Sequence, residues 1–269
     1  MNNNLINVIN LVKNFDEQSV IKNISFNVKK NSIVGILGKN GAGKTTLLGM
    51  LLGLITPTKG DIFILGKNLK LNKKEILSEI NFQSPYVDLP KKMTVEQNLS
   101  FYSRLYGVKN FNIVIENLVD DLKIRDLVKK NYGSLSAGQK TKINLCKALL
   151  NKPKLLLLDE PLSNIDENFK EEIQEKLKRI LKQYKITTII VTHDSNEAFY
   201  LGDKCGVLLN GKLKQFDEPY NVYHSPNSED IVKFLNRGVL VPAKVTGEYT
   251  LENEDLGCLL YTSDAADDV

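Results

Sequence analysis

"SIVGILGKNGAGKTTLLGMLLGLI", Ser32 to Ile55, carries three signals in order: a short apolar run, a glycine-rich turn and a second apolar run of helical character. The turn, Gly38 to Thr46, fits G-x-x-x-x-G-K-[ST] in the setting that gives the pattern meaning, a strand before it and a helix after it. Glycines let the backbone fold around a phosphate chain with its N–H groups pointing inward. Gly38, Asn40, Gly41, Gly43, Lys44, Thr45 and Thr46 are therefore candidate phosphate-binding residues. Lys44 is expected to reach the terminal phosphates and the Thr45 hydroxyl to ligate Mg²⁺.

Similar apolar runs recur at "DIFILG" (Asp61 to Gly66), "KLLLLDE" (Lys154 to Glu160), "TTIIVTH" (Thr187 to His193) and "GVLLNG" (Gly206 to Gly211). Their hydrophobicity is continuous rather than alternating, which predicts strands buried on both faces and hence a largely parallel sheet between helices. The fold class is α/β. From about Ser84 to Tyr132 strand signals give way to amphipathic patterns, "MTVEQNLSFYSRLYGV" and "FNIVIENLVDDLKIRDLV", which predict an all-helical insertion. Beyond Asp217, "GVLVPAKVTGEYTLENEDLG" predicts the first strands of a small β appendage.

Ligands bind at the carboxyl ends of strands in open parallel sheets, so residues there gain weight as site candidates. "LLLLDE" delivers Asp159, expected to hold Mg²⁺ directly or through water, and Glu160, placed to polarise a water attacking a γ-phosphate. His193, at the end of "TTIIVTH", can hydrogen-bond that phosphate or water. Gln83, closing "SEINFQ", can reach the metal or the water through its amide oxygen. Phe15 lies upstream and can stack on a base, although an isolated aromatic is more often core. Ser136 and Gln139, spaced three apart before an apolar-periodic run, predict a reciprocal helix cap.

The 269 residues include 36 basic and 32 acidic side chains, interleaved in mixed pairs, which is the pattern of a solvated surface and not of a nucleic-acid partner. Three cysteines, Cys146, Cys205 and Cys258, have no metal-ligand spacing and suit a reducing compartment. No signal-peptide pattern opens the chain, and no apolar run approaches the roughly 18 residues of a membrane-spanning helix. From Cys258 onward, "CLLYTSDAADD" resembles a translated sequencing adapter, so residues 258–269 are read as a non-native tail.

Taken in order, the loop Gly38 to Thr46, Gln83, "LSAGQ" (Leu135 to Gln139), "LLLLDE" ending in Glu160, "SNID" (Ser163 to Asp166) and "TH" (Thr192 and His193) resemble the ATP-binding subunit of an ABC transporter. The resemblance implies a P-loop NTPase domain over residues 1–217, with an N-terminal antiparallel β part, a mixed core sheet and a helical subdomain inserted at about 84–133. It also implies a linker helix and the start of a small regulatory β domain over 218–257. ATP and Mg²⁺ are the implied cofactors, with Phe15 against adenine, Glu160 as general base and Asp166 linking two sites across a dimer. Ser136, Ala137, Gly138 and Gln139 would then face the γ-phosphate held by a second copy, or a homologous subunit, as an anion at an aligned helix end.

Implied partners are permease subunits at the cytoplasmic face of the membrane and, for an importer, a substrate-binding protein. Ala137 replaces the first glycine of the commoner signature; in a right-handed first turn alanine is tolerated, whereas a positive φ would cost about 1 kcal/mol or more. The segment from Asn81 to Val108 and "LSAGQKTK" are similar to exporter-type ATPases, whereas "DEPLSNID" and Asp217 to Val245 resemble import ATPases for ferric iron, polyamines or sugars. Import is slightly favoured; export, or a soluble ABC ATPase acting on ribosomes or DNA, are the alternatives.

Overall fold

A computed structural model describes residues 3–236, 244–247, 250–253 and 257–260. In chain order the elements are β1 (Asn4–Phe15), β2 (Gln18–Lys29), β3 (Ile33–Leu37), α1 (Lys44–Leu51), β4 (Lys59–Ile64), β5 (Lys67–Asn68), α2 (Lys73–Leu77) and β6 (Ile80–Gln83). There follow α3 (Val95–Leu105), α4 (Phe111–Asp121), α5 (Ala137–Leu149), β7 (Leu155–Asp159), α6 (Glu167–Gln183), β8 (Thr187–Thr192), α7 (Ser195–Leu201), β9 (Lys204–Leu209) and β10 (Lys212–Asp217). The last are α8 (Pro219–His224), α9 (Glu229–Leu235), β11 (Lys244–Gly247), β12 (Thr250–Asn253) and β13 (Gly257–Leu260).

Four of the five continuous apolar runs are strands of one sheet, whereas "DIFILG" is β4 of a separate antiparallel sheet, paired with β1 and β5 and buried at Ile62 and Ile64 only. Every residue of β3, β7 and β8 is buried, and the six-stranded sheet runs β10-β9-β3-β8-β7-β6. It is parallel from β9 to β6 and closed by the antiparallel edge strand β10. Successive residues feed opposite faces. Leu155 and Leu157 join α1 and the four-stranded antiparallel sheet β2-β1-β4-β5 in one core, while Leu156 and Leu158 join α3, α4, α5 and α6 in another. A third, smaller core seats α8 and α9 against Leu37 and Val207.

Two helical runs stop sooner than their apolar pattern. α1 ends at Leu51 because Gly53 takes a left-handed φ of 63° and the N–H groups of Leu54 and Ile55 turn back to Gly49 O. α4 ends at Asp121, and after Lys123 at φ 51° only a short 3₁₀ turn, Arg125–Leu127, remains of the expected continuation. In the appendage β11, β12 and β13 form an antiparallel sheet. The proposed "GVLVP" start of that appendage lies outside the described residues, as do residues 261–269 of the suspected tail, whereas Cys258 to Leu260 are in β13.

Leu157 is fully buried, so Leu157→Ala should lower unfolding free energy by about 2–5 kcal/mol, read from the urea midpoint.

Candidate functional site

Strand register assembles the site. Leu37 pairs with Thr192, Asp159 with Val191 and Gln83 with Leu158, so the residues at or just beyond four parallel strands emerge along one edge. A depression of about 280 Å³ opens there, lined by Val20, Asn40, Gly41, Gly43, Lys44, Thr45, Thr46, Tyr86, Asp159 and Glu160.

The loop from Gly38 has the backbone its composition calls for. Gly41 and Gly43 lie at φ 80° and 105°, and a Cβ on Gly43 would stand 2.7 Å from Ile21 Cδ1 and 3.1 Å from the Val20 carbonyl oxygen. Gly43 precedes α1 without any side-chain cap, and Gly43, Lys44, Thr45 and Thr46 at this helix end line the depression, an arrangement suited to an anion. Lys44 curls back: its Nζ donates to Gly38 O at 2.7 Å and Lys39 O at 3.2 Å, and lies 3.7 Å from Glu160 Oε1.

Glu160 sits between two basic groups. Its Oε2 is 2.8 Å from His193 Nδ1 and 3.4 Å from Thr192 Oγ1, while Lys44 faces the other oxygen. Its backbone has φ 45°, a left-handed conformation that costs a non-glycine residue about 1 kcal/mol or more. The turn is held by Glu160 N donating to Val191 O at 2.8 Å and by Ser163 Oγ donating to Glu160 O at 3.0 Å. Asp159 is buried and accepts from Ser84 Oγ at 3.4 Å; burial, then the neighbouring Glu160 charge, push its carboxyl above the usual range. Gln83 is buried as well, and its Oε1 has no hydrogen-bond partner.

The structure therefore brings together the loop, Gln83, Asp159, Glu160 and His193. Phe15 is not among the residues lining the depression: it ends β1 at a tight turn, 43% exposed under the Lys13 ammonium, and Val20 of the same hairpin is a lining residue. The signature also stays apart from this depression. Ser136 caps α5 through the reciprocal bonds the spacing predicts, Gln139 N to Ser136 Oγ at 3.3 Å and Ser136 N to Gln139 Oε1 at 3.1 Å. Ala137 is the first residue of α5 in ordinary helical conformation. A Cβ on Gly138 would be 3.9 Å from Asn164 O, so this helix end stands beside the segment leading to the exposed Asp166. Sequence reasoning missed Ser84, Val20 and Tyr86, which join the site through contacts between distant segments.

An ABC transporter family model matches residues 21–163. The chain is 32% identical over 251 residues to the Fe(3+) ions import ATP-binding protein FbpC of Escherichia coli O157:H7, covering 91% of this chain and 71% of that protein. It is 32% identical over 253 residues to the spermidine/putrescine import ATP-binding protein PotA of Clostridium acetobutylicum, covering 93% and 72%. Among solved structures, cbiO1 from Clostridium perfringens, part of the ABC transporter complex cbiONQ, matches with TM-score 0.76 and 27% identity over 87% of this chain and 95% of that one. The chain belongs to the ABC transporter family as an ATP-binding, ATP-hydrolysing subunit. Among the described residues no helix is long and apolar enough to cross a membrane.

A methyl group on Gly43 would meet both a forbidden φ and a filled space, so Gly43→Ala should weaken ATP binding about tenfold or more, measured by titration with a fluorescent nucleotide, while the far-ultraviolet spectrum is retained.

Proposed function

We propose that this chain powers import through separate permease subunits at the cytoplasmic face of the membrane, as one of two ATPase subunits arranged head to tail. The single observation that carries the ATPase half is the Glu160 carboxylate between Lys44 and His193 at the mouth of the phosphate-binding loop. The loop N–H groups and Lys44 bind the phosphates, Glu160 takes a proton from the attacking water, and His193 keeps that carboxylate oriented.

Thr45, Asp159 and Gln83 suit Mg²⁺: a hydroxyl lining the depression, a buried carboxylate and a buried amide oxygen without a partner form an all-oxygen donor set. Mg²⁺ there would neutralise charge on the β- and γ-phosphate oxygens. Phe15 and the β1–β2 hairpin would border the base. Ser136, Ala137, Gly138 and Gln139 of one subunit would close the site of the other, with Asp166 linking the two.

Import is favoured because the chain follows import ATP-binding proteins over nine-tenths of its length. The cargo, whether ferric iron, polyamine or another solute, would be selected by the permease and any substrate-binding protein. Exposed Tyr86 and Val87 after Gln83, with Phe101 and Leu105 on α3, offer the apolar surface a permease segment needs.

Glu160→Gln should hold ATP without turnover and form a dimer that disappears with ADP, followed by light scattering; a monomer that prefers GTP would overturn the reading. Ala137→Gly should change ATPase activity of the assembled transporter by no more than about threefold, since the position is already right-handed helix; a rise of orders of magnitude would contradict it.

A further inference from the structure

Directly behind the catalytic edge, α7 carries a carboxyl group that the reaction as described leaves unused. Glu197 is 1% exposed. Its Oε2 accepts a hydrogen bond from Thr192 Oγ1 at 2.6 Å, and its Oε1 is buried without a partner. Thr192 Oγ1 also accepts from Asp194 N at 3.1 Å and stands 3.4 Å from Glu160 Oε2. One hydroxyl thus lies between the carboxylate read as the general base and a second carboxyl hidden beneath it.

A threonine hydroxyl has one proton and two lone pairs. The Asp194 N–H takes one lone pair. When Glu197 is ionised it can only accept, so the Thr192 proton is committed to it and turned away from Glu160. When Glu197 is protonated on Oε2 it can donate to the remaining lone pair, and the Thr192 proton turns to Glu160, a small rotation from hydrogen-bonding distance. A carboxylate that gains such a bond is a weaker base.

We propose that Glu197 is a positioning residue for ATP hydrolysis, acting through the Thr192 hydroxyl to set how strongly the Glu160 carboxylate is hydrogen-bonded. The inference rests on the reading of Glu160 as the base.

The surroundings fit this role. Burial, above all, raises the Glu197 carboxyl to about 7; the Thr192 hydrogen bond opposes it, Asp194 and Glu160 add to it, and Lys170 on α6 opposes it. Lys170 is itself ion-paired with Asp194, which caps α7 through the N–H groups of Asn196 and Glu197. The sign follows: below about pH 7 Glu197 is protonated and Thr192 is free to weaken Glu160, and above it Glu197 is ionised and Glu160 is the stronger base.

The test is the pH dependence of ATP turnover by the full chain. In the parent, kcat should rise about fivefold between about pH 6 and pH 8 with KM for ATP nearly constant. Glu197→Gln and Thr192→Val should each flatten that rise, and Thr192→Ser, which keeps the hydroxyl, should restore it. A pure packing role would lower the urea midpoint of Glu197→Gln and leave the profile in place. An unchanged profile in folded Glu197→Gln, or in folded Thr192→Val, overturns the proposal. Glu160→Gln is run in parallel: full turnover there overturns the reading of Glu160, whereas lost turnover there with unchanged profiles in the other variants overturns only the role of Glu197.

Discussion

The parallel pairing of β3 with β8, and of β8 with β7, is the constraint on which everything else depends. Strands buried on both faces leave no room for unpaired charged side chains, so the charged chemistry is displaced to the residues at and beyond their carboxyl ends. Pairing Leu37 with Thr192 and Asp159 with Val191 puts a phosphate-binding loop, two carboxylates and a histidine along one line. Shifting one strand by one residue would exchange the faces of its side chains and move its residue at the site out of line.

The same edge forces the chain to turn sharply, and the turns are stabilised locally. At Gly38 a Cβ would stand 2.5 Å from Leu208 O, so the strand leaves the sheet against the backbone of β9. At Glu160 the φ of 45° is held by hydrogen bonds to Val191 and Ser163. That conformation lets its carboxylate face Lys44 and His193 rather than follow the strand.

What was legible in the sequence was local in origin. The buried strands are continuous apolar words, the phosphate-binding loop is written in glycines, and the Ser136–Gln139 cap needs only a spacing of three. Other features depend on where segments meet. Nothing in "SNEAF" distinguishes Glu197 from a solvated helix acid until α7 packs behind Thr192. Gln83 gains meaning from a buried, unpartnered oxygen, which is a property of its surroundings. The β1–β2 hairpin presents Val20 to the depression and leaves Phe15 exposed at its tip, a consequence of pairing and turn geometry that an isolated aromatic does not announce. Apolar periodicity runs on through Gly53 and Lys123, but the backbone turns left-handed there and α1 and α4 end just before.

The signature residues are ordered, capped and apart from their own chain's phosphate-binding loop. In the proposed head-to-tail arrangement a second chain supplies the missing half of each site. Mixing two inactive variants, Lys44→Ala and Ser136→Arg, examines that requirement: only a pair formed between them contains one intact loop facing one intact signature. ATP turnover absent from each variant alone should return on mixing. No turnover in the mixture, with pairing between the two variants demonstrated, would contradict a site shared between chains.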